Sequence, residues 1–374
     1  MSRPSSGHDE KGVNQNGDPG GHHSVFTNTH SAAAASSETK LLSAFKTVTQ
    51  ARKVYLGGRG KTFELRLVGK IKQQLSADPT FCPEYPSSLG LTEFTRRATE
   101  VALGKSSPAI VENRVLGIQT PSFSAAVRLG AELLTHWYNV RAVWCGPVYL
   151  SSPCDGNSYP LIKSSFTRSA LFQQRRRLFP FLLLPAQALC YGDLNRDAWP
   201  IQHFVSQGME LLCAQSFSHC FGLYGEAVGH LLCILKQNSP LLSVQSQADR
   251  IVKSLWAQPS VGGAHVVAAV LSNPAHLGEV KRMVERCMLI RDILREKLRL
   301  LGTPGCWDHL TQQGGLFCCT GLNDQQVEFL SRSRHVYLLP SGCLNVSAIN
   351  GHNLEYVTDS IHLKICFTIS LQLL

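Results

Sequence analysis

Residues 210–226 read Glu-Leu-Leu-Cys-Ala-Gln-Ser-Phe-Ser-His-Cys-Phe-Gly-Leu-Tyr-Gly-Glu, and this stretch decides the fold of the chain. Its first part, from Glu210 to Gln215, is a mostly apolar run of the length of a buried strand. Its second part contains serines and glycines, which is typical of a loop. The stretch therefore predicts a short buried strand that leads directly into a loop with hydroxyl side chains.

The segments before this stretch alternate between predicted helices and short strands. Residues 121–138 begin with Pro121 and soon reach two serines, and apolar residues then cover much of a helical surface, which predicts a capped and packed helix. Apolar runs predict strands at 148–150 and 179–184. This alternation indicates an α/β class with a largely parallel central sheet.

The last third of the chain begins with one long predicted helix. Asn273 suits the N-cap and Pro274 the first turn, while Gly302 and Pro304 follow the last apolar position. Apolar residues between these ends recur at three- and four-residue spacing, as on an amphipathic helix. Further strands are predicted at 315–319, 336–339 and 344–346.

These elements predict two domains joined by the long helix. We expect a disordered arm over 1–40, because this segment has no periodic apolar residues and is rich in small and polar ones. The large domain is predicted over 65–285. A smaller α+β domain is predicted to combine 41–64 with 286–374.

Composition and charge are those of an ordinary globular protein. The 374 residues are 44% hydrophobic and 17% charged, with a formal net charge of +10. The basic residues are dispersed, so we expect no nucleic-acid binding. The 13 cysteines include no Cys-x-x-Cys pair, so we expect no metal site and a reduced, cytoplasmic chain. The apolar stretch 365–374 is too short to span a membrane.

Several segments carry a resemblance to one enzyme family. The matching segments include 149–153, 196–208, 214–226, 301–317 and 338–347. They resemble the eukaryotic aspartate aminotransferases, which are fold-type I pyridoxal-phosphate enzymes. The run Ala-Gln-Ser-Phe-Ser from Ala214, followed by Phe-Gly-Leu-Tyr from Phe221, is specific because its neighbours match too. The wording of other segments indicates a divergent, cytosolic-like paralogue.

The resemblance implies an activity and its components. Family members transfer the amino group between L-aspartate and 2-oxoglutarate, giving oxaloacetate and L-glutamate. They use pyridoxal phosphate and work as homodimers with active sites at the subunit interface. The protein supplies a Schiff-base lysine, a carboxylate for the pyridine nitrogen, a phosphate cradle and arginines for the substrate carboxylates.

The lysine position of the family is His219 here, directly after Ser-Phe-Ser. Imidazole has no primary amine, so it cannot form the aldimine that the family lysine forms. Two interpretations stay open. His219 is a relic in a pocket that no longer performs the reaction, or it is a substitute general base.

Other positions of the cofactor and substrate sites also depart from the family. The resemblance places the cofactor carboxylate at Leu183 and the phosphate arginine at Ala227. It places the substrate-carboxylate arginines at Cys343 and Lys253, and lysine copies bidentate arginine poorly. Further replacements are Phe123 for a glycine and Asp155 for a stacking tryptophan. The positions that keep the family chemistry, as vestiges, are Ser122, Ser124, Ser216, Tyr85 and Tyr224.

The chain is also shorter than the family between Pro153 and Phe179. Roughly 50 residues are missing there, more than one βαβ unit of ~30 residues, so the large domain is shortened near 154–178. The sequence therefore predicts a family member with impaired or absent transaminase activity and doubtful binding of pyridoxal phosphate. The alternative is a residual pyridoxal-phosphate-dependent transaminase or another amino-acid enzyme. We expect a homodimer, or a heterodimer with an active paralogue, and no membrane partner.

Overall fold

The structure, a computed structural model, describes residues 37–58, 66–79, 84–138, 179–187 and 190–372. The side chains of 37–38, 138, 219 and 368–372 are outside this description. The predicted strand 148–150, Asp155 and the shortened segment 154–178 also lie outside the described residues. Residues 37–374 form one unit by their contacts, and the predicted division into 65–285 and its flanking segments stays a prediction.

The helices lie along the chain in an order that alternates with the strands. They are α1 (Ser37–Thr47), α2 (Arg66–Ala77), α3 (Thr92–Leu103), α4 (Pro108–Val111), α5 (Phe123–Tyr138), α6 (Leu194–Ser206), α7 (Ser218–Phe221), α8 (Leu241–Leu255), α9 (Gly262–Ser272), α10 (Pro274–Leu300), α11 (Asp324–Ser333) and α12 (Leu354–Gln372). The strands are β1 (Val54–Tyr55), β2 (Val115–Thr120), β3 (Phe181–Leu184), β4 (Leu211–Ser216), β5 (Gly229–Ile234), β6 (Phe317–Cys319), β7 (Val336–Tyr337) and β8 (Cys343–Asn345).

The central sheet has the strand order β2-β5-β4-β3. The predicted largely parallel sheet is wrong for the described strands: β5 pairs antiparallel with both β2 and β4, and only β3 and β4 pair in parallel. The reason is the connection after β4. It contains only the one-turn helix α7, which is too short for a crossover, so the chain returns antiparallel. The result is a mixed sheet.

Both faces of this sheet are covered by helices. Side chains alternate along β4, so that Leu212 and Ala214 join a core with α5 and α8. Leu211 and Cys213 join a second core with α3 and α6 on the opposite face. Burial on both faces explains why β4 reads as a continuous apolar run rather than as an alternating one.

The long helix α10 is present as predicted. Asn273 accepts a hydrogen bond from the backbone N–H of Ala275, and Pro274 occupies the first turn. The stripe that includes Val284, Cys287 and Leu294 is buried. At the other end of the chain, the predicted arm 1–40 needs correction, because residues 37–40 already belong to α1.

Two small sheets complete the described strands. β1 pairs in parallel with β7, which joins the segment after α1 to the C-terminal part of the chain. β6 pairs antiparallel with β8, with Cys319 opposite Cys343, and a disulfide links these two residues. The expectation that the cysteines are all reduced thiols is therefore wrong for this pair. In the part of the chain that is described, no helix is both long and apolar enough to cross a membrane.

Candidate active site

The candidate site lies where β2 and β4 end and β5 begins. Register places Thr120, Gly229 and Ser216 side by side across these three strands. Helix α5 starts just after β2, and α7 starts just after β4. Loops at the carboxyl ends of strands are the usual place for ligand sites in α/β proteins.

The start of α5 is packed closely against the first residue of β5. Ser122 caps the helix, since its Oγ accepts the backbone N–H of Ala125 at 3.1 Å. The hydroxyl of Thr120 donates to the carbonyl oxygen of Ser122 at 2.9 Å. A Cβ at Gly229 would lie 2.3 Å from that same carbonyl oxygen. Glycine at 229 therefore allows the helix start to approach the sheet.

This helix start keeps part of an anion cradle. Ser124 is exposed in the first turn of α5, where backbone N–H groups and the helix dipole favour a negative charge. Phe123, by contrast, packs against the core of α5 and α8. The nearby Lys72 forms an ion pair with Glu226. The serines have capping roles of their own, so their presence alone does not indicate a ligand.

The loop between β4 and β5 is held by short-range hydrogen bonds. The Oγ of buried Ser216 accepts the N–H of Ser218 at 3.3 Å, and the Oγ of Ser218 accepts the N–H of Val228 at 3.0 Å. Helix α7 ends at Gly222, which has the left-handed φ of 66°. His219 lies in α7 by its backbone, while its side chain is outside the described residues. The loop therefore fixes the backbone position of residue 219.

The position assigned to the cofactor carboxylate is Leu183 on β3. Its side chain is 49% exposed, although the strand is otherwise apolar. A small cavity of about 30 Å³ lies beside Leu183 and is also lined by Asp197. Asp197 is buried, and its two oxygens accept the N–H groups of Cys190 and Tyr191 at 3.0 and 3.1 Å. This carboxylate, which sequence analysis missed, serves the backbone.

Two more predicted positions lie in the 224–227 turn. Tyr224 is half-buried against the core, and Ala227 has a left-handed φ of 48°. The N–H of Ala227 donates to the carbonyl oxygen of Leu223 at 2.9 Å. Ala227 places a methyl group where the resemblance expects a guanidinium.

Tyr85 and Lys253 lie on the surface. Tyr85 is 86% exposed. The ammonium of Lys253 contacts Asp249 at 2.8 Å, and Asp249 also accepts the hydroxyl of Ser88. The hydrogen bonds from Lys253 and then from Ser88 lower the pKa of Asp249. Lys253 is therefore already neutralised by an acid of its own helix, α8.

Beneath the site lies a buried polar network that sequence analysis missed. His230 is fully buried, and its Nδ1 donates to Gln215 Oε1 at 2.8 Å. Gln215 Nε2 donates to Gln187 Oε1 at 2.6 Å, and Gln187 Nε2 donates to the carbonyl oxygen of Val101 at 2.9 Å. Desolvation lowers the pKa of His230 to about 3. The residue types gave no signal, because the network exists only through the pairing of β4 with β5.

This geometry can be compared with known proteins. A family model described as aminotransferase class I and II matches residues 187–367. The cytoplasmic aspartate aminotransferase of Gallus gallus is 35% identical over 387 residues, covering 86% of this chain and 94% of the chicken protein. The chain belongs to the aspartate aminotransferase family. The predicted resemblance is thus confirmed.

Solved aminotransferases share the fold of this family member. An aromatic-amino-acid aminotransferase from Burkholderia pseudomallei, covalently bound to pyridoxal phosphate, has a TM-score of 0.83 and 23% identity, over 92% of this chain and 100% of that one. A cytoplasmic aspartate aminotransferase from Giardia lamblia has a TM-score of 0.81 and 22% identity, over 92% and 99%. These likenesses show the fold-type I aminotransferase architecture.

Proposed function

We propose that this chain is an aspartate aminotransferase family protein that has lost transaminase chemistry. The observation that carries the proposal is His219, which occupies the position of the Schiff-base lysine in helix α7. The match on both sides of residue 219 is continuous, so the replacement is not an effect of misalignment. An imidazole offers no primary amine, and the covalent link that the family reaction needs cannot form there.

Further residues of the site also fit pyridoxal phosphate poorly. Leu183 presents a half-exposed apolar side chain where a carboxylate is needed. Ala227 supplies no positive charge, and the nearby Lys72 is paired with Glu226. Cys343 is bonded to Cys319 instead of offering a guanidinium. Because the losses affect cofactor, phosphate and substrate contacts together, we derive no reaction step through the cofactor.

Reconstitution with pyridoxal phosphate tests the proposal. We expect no aldimine absorbance band from the purified protein, and borohydride reduction followed by peptide mapping should find no stoichiometric lysine adduct. The His219→Lys variant is the positive control for cofactor access, since it restores the amine at that position. A stoichiometric adduct on a lysine of the unaltered protein, accompanied by aspartate turnover, would support the alternative of a residual transaminase and overturn the proposal.

We further propose that the chain forms a homodimer, or a heterodimer with an active paralogue. Its support is Tyr85, which the resemblance places across the family interface and which is 86% exposed in the single chain. On helix α8, Leu242 is 78% and Leu255 is 39% exposed. Exposed apolar residues of this size are typical of interaction surfaces when they cluster.

Size-exclusion chromatography with light scattering measures the assembly. We expect a mass of twice the 41.1 kDa of the chain. Tyr85→Ser is expected to raise the dimer dissociation constant about tenfold, as loss of a buried aromatic anchor does. The matched control is Phe367→Ser, which removes an aromatic side chain that is 57% exposed on α12. A well-folded monomer at micromolar concentration would contradict this proposal.

For location we propose the cytoplasm. The chicken relative is named a cytoplasmic enzyme. Eight cysteines among the described residues are free thiols, which is typical of a reducing compartment. A fluorescent fusion in cultured cells checks this, and accumulation in a membrane-bounded organelle would contradict it.

A further inference from the structure

The only disulfide among the described residues joins two short strands. Cys319 on β6 and Cys343 on β8 are directly opposite each other, with their Cα atoms 4.1 Å apart. The adjacent backbone bond runs from the N–H of Thr320 to the carbonyl oxygen of Gly342. Cys319 and Cys343 therefore form a non-hydrogen-bonded pair, the type in which opposite side chains approach most closely.

The neighbouring cysteines cannot replace either member of this pair. Cys318 precedes Cys319 on β6, so its side chain points to the other face of the strand, where it is fully buried. Cys306 is exposed and lies beside Asp308, which accepts from its thiol at 3.3 Å. One disulfide among eight free thiols also differs from the pattern of a protein stapled throughout.

The backbone of Cys319 is held in position from both sides. The side chain of Gln313 accepts its N–H at 2.7 Å and donates to its carbonyl oxygen at 2.9 Å. Cys319 is half-buried, whereas Cys343 is 3% exposed. An external thiol therefore reaches the Cys319 sulfur first, while Cys343 is the sulfur that is released into the protein.

We propose that Cys319 and Cys343 form a reversible redox pair that exchanges with small thiols and disulfides of the glutathione type. In reduction, a thiolate attacks the Cys319 sulfur, a mixed disulfide forms and the Cys343 thiolate leaves. A second thiolate then releases Cys319, giving one small disulfide and two protein thiols. Oxidation is the reverse sequence, with oxidised glutathione as the two-electron acceptor.

The pair controls the attachment of the turn between β7 and β8. In this turn the N–H of Leu339 donates to the carbonyl oxygen of Cys343. The Thr320 hydroxyl donates to the carbonyl oxygen of Gly342 at 2.7 Å. These hydrogen bonds keep the turn folded after reduction, so the disulfide adjusts its local stability. The inference uses only these contacts and does not depend on the proposed loss of transaminase activity.

The test equilibrates the full chain in glutathione buffers of increasing oxidised fraction, followed by maleimide labelling and tryptic mapping. Arg332 and Arg334 separate the two cysteines, so the bonded pair yields a cross-linked peptide. We expect labelling of Cys343 to fall about tenfold on oxidation and to recover fully with excess reduced glutathione. The melting temperature should rise by several degrees in the oxidised form.

Variants distinguish this pair from its neighbours. Cys319→Ser and Cys343→Ser should each abolish the dependence of the melting temperature on redox conditions. Cys306→Ser, which removes the exposed thiol of the same tryptic peptide, should retain it. Should Cys319 and Cys343 both label fully in oxidised glutathione, or Cys343 bond to another cysteine, the proposal is wrong. A link that excess reduced glutathione leaves intact in the folded protein also overturns it, and the unaltered chain gives this result without any variant.

Discussion

His219→Lys alone is expected to leave aspartate turnover more than tenfold, or about 1.4 kcal/mol in activation free energy, below that of an ordinary family member. The amine would return to helix α7, but the carboxylate and both cationic groups would still be absent. Catalytic groups that act as a unit show strongly non-additive effects, so one repair recovers little. The measurement is the steady-state rate with L-aspartate and 2-oxoglutarate.

The full repair combines His219→Lys with Leu183→Asp, Ala227→Arg and Cys343→Arg. We expect its gain in turnover to exceed the product of the four single gains. The matched control is His352→Lys, which adds a lysine at an exposed position away from α7. If His219→Lys alone comes within tenfold of an ordinary family member, the other three replacements contribute little to the loss of activity and the prediction is wrong.

The structure predicts that the three additional repairs differ in difficulty. Leu183 is half-exposed, so a carboxylate there keeps contact with water. Ala227 already has a left-handed φ, which is unfavourable for any residue with a Cβ. Cys343→Arg places a long charged side chain at a position that is 3% exposed and also removes the disulfide. We expect this last change to lower the melting temperature most.

The second large effect is a loss of stability in mild acid caused by His230. The folded protein holds its pKa at about 3, whereas the ordinary value is 6.5. Below pH 6.5 the unfolded state therefore binds a proton that the folded state does not, and the free energy of unfolding decreases as the pH falls from 6.5 toward 3. Between pH 7 and pH 5 this group alone should remove about 2 kcal/mol. Above pH 6.5 its effect is small.

Urea denaturation at the two pH values measures this loss. His230→Asn keeps a nitrogen that can donate to Gln215 and removes the titrating ring, so its stability should depend less on pH by about 2 kcal/mol. His352→Asn removes an exposed histidine and should leave the pH dependence of the unaltered protein in place. Equal pH dependence in His230→Asn and the unaltered protein would show that His230 is not held neutral by burial.

Sequence reasoning predicted the elements with local signals. The N-cap at Asn273 and the apolar stripe of α10 gave the long helix, and the run before Ser216 gave β4. It missed β5 and its direction, because Gly229–Ile234 is buried on both faces and has no periodic pattern to identify it. Without β5, the alternation of helices and strands indicated a parallel sheet.

The candidate site was predictable only in its residue types. The position of His219 followed from the Ser-Phe-Ser sequence before it. The use of Ser122 as a helix cap and of Asp197 as a backbone acceptor depends on tertiary contacts. The same holds for Cys319 and Cys343, which are 24 residues apart and meet only through the register of β6 and β8.

The reversed strand β5 also sets an order of events during synthesis. It lies between β2 and β4, so β2 has no partner in the described sheet until Gly229–Ile234 has left the ribosome, about a hundred residues after Thr120. Contacts between such distant segments form slowly, since a long loop must close first. Until then the nascent chain carries an unpaired apolar strand, a risk for aggregation that chaperones counter. Cellular yield should therefore depend on translation speed before residue 234 more than on the final stability.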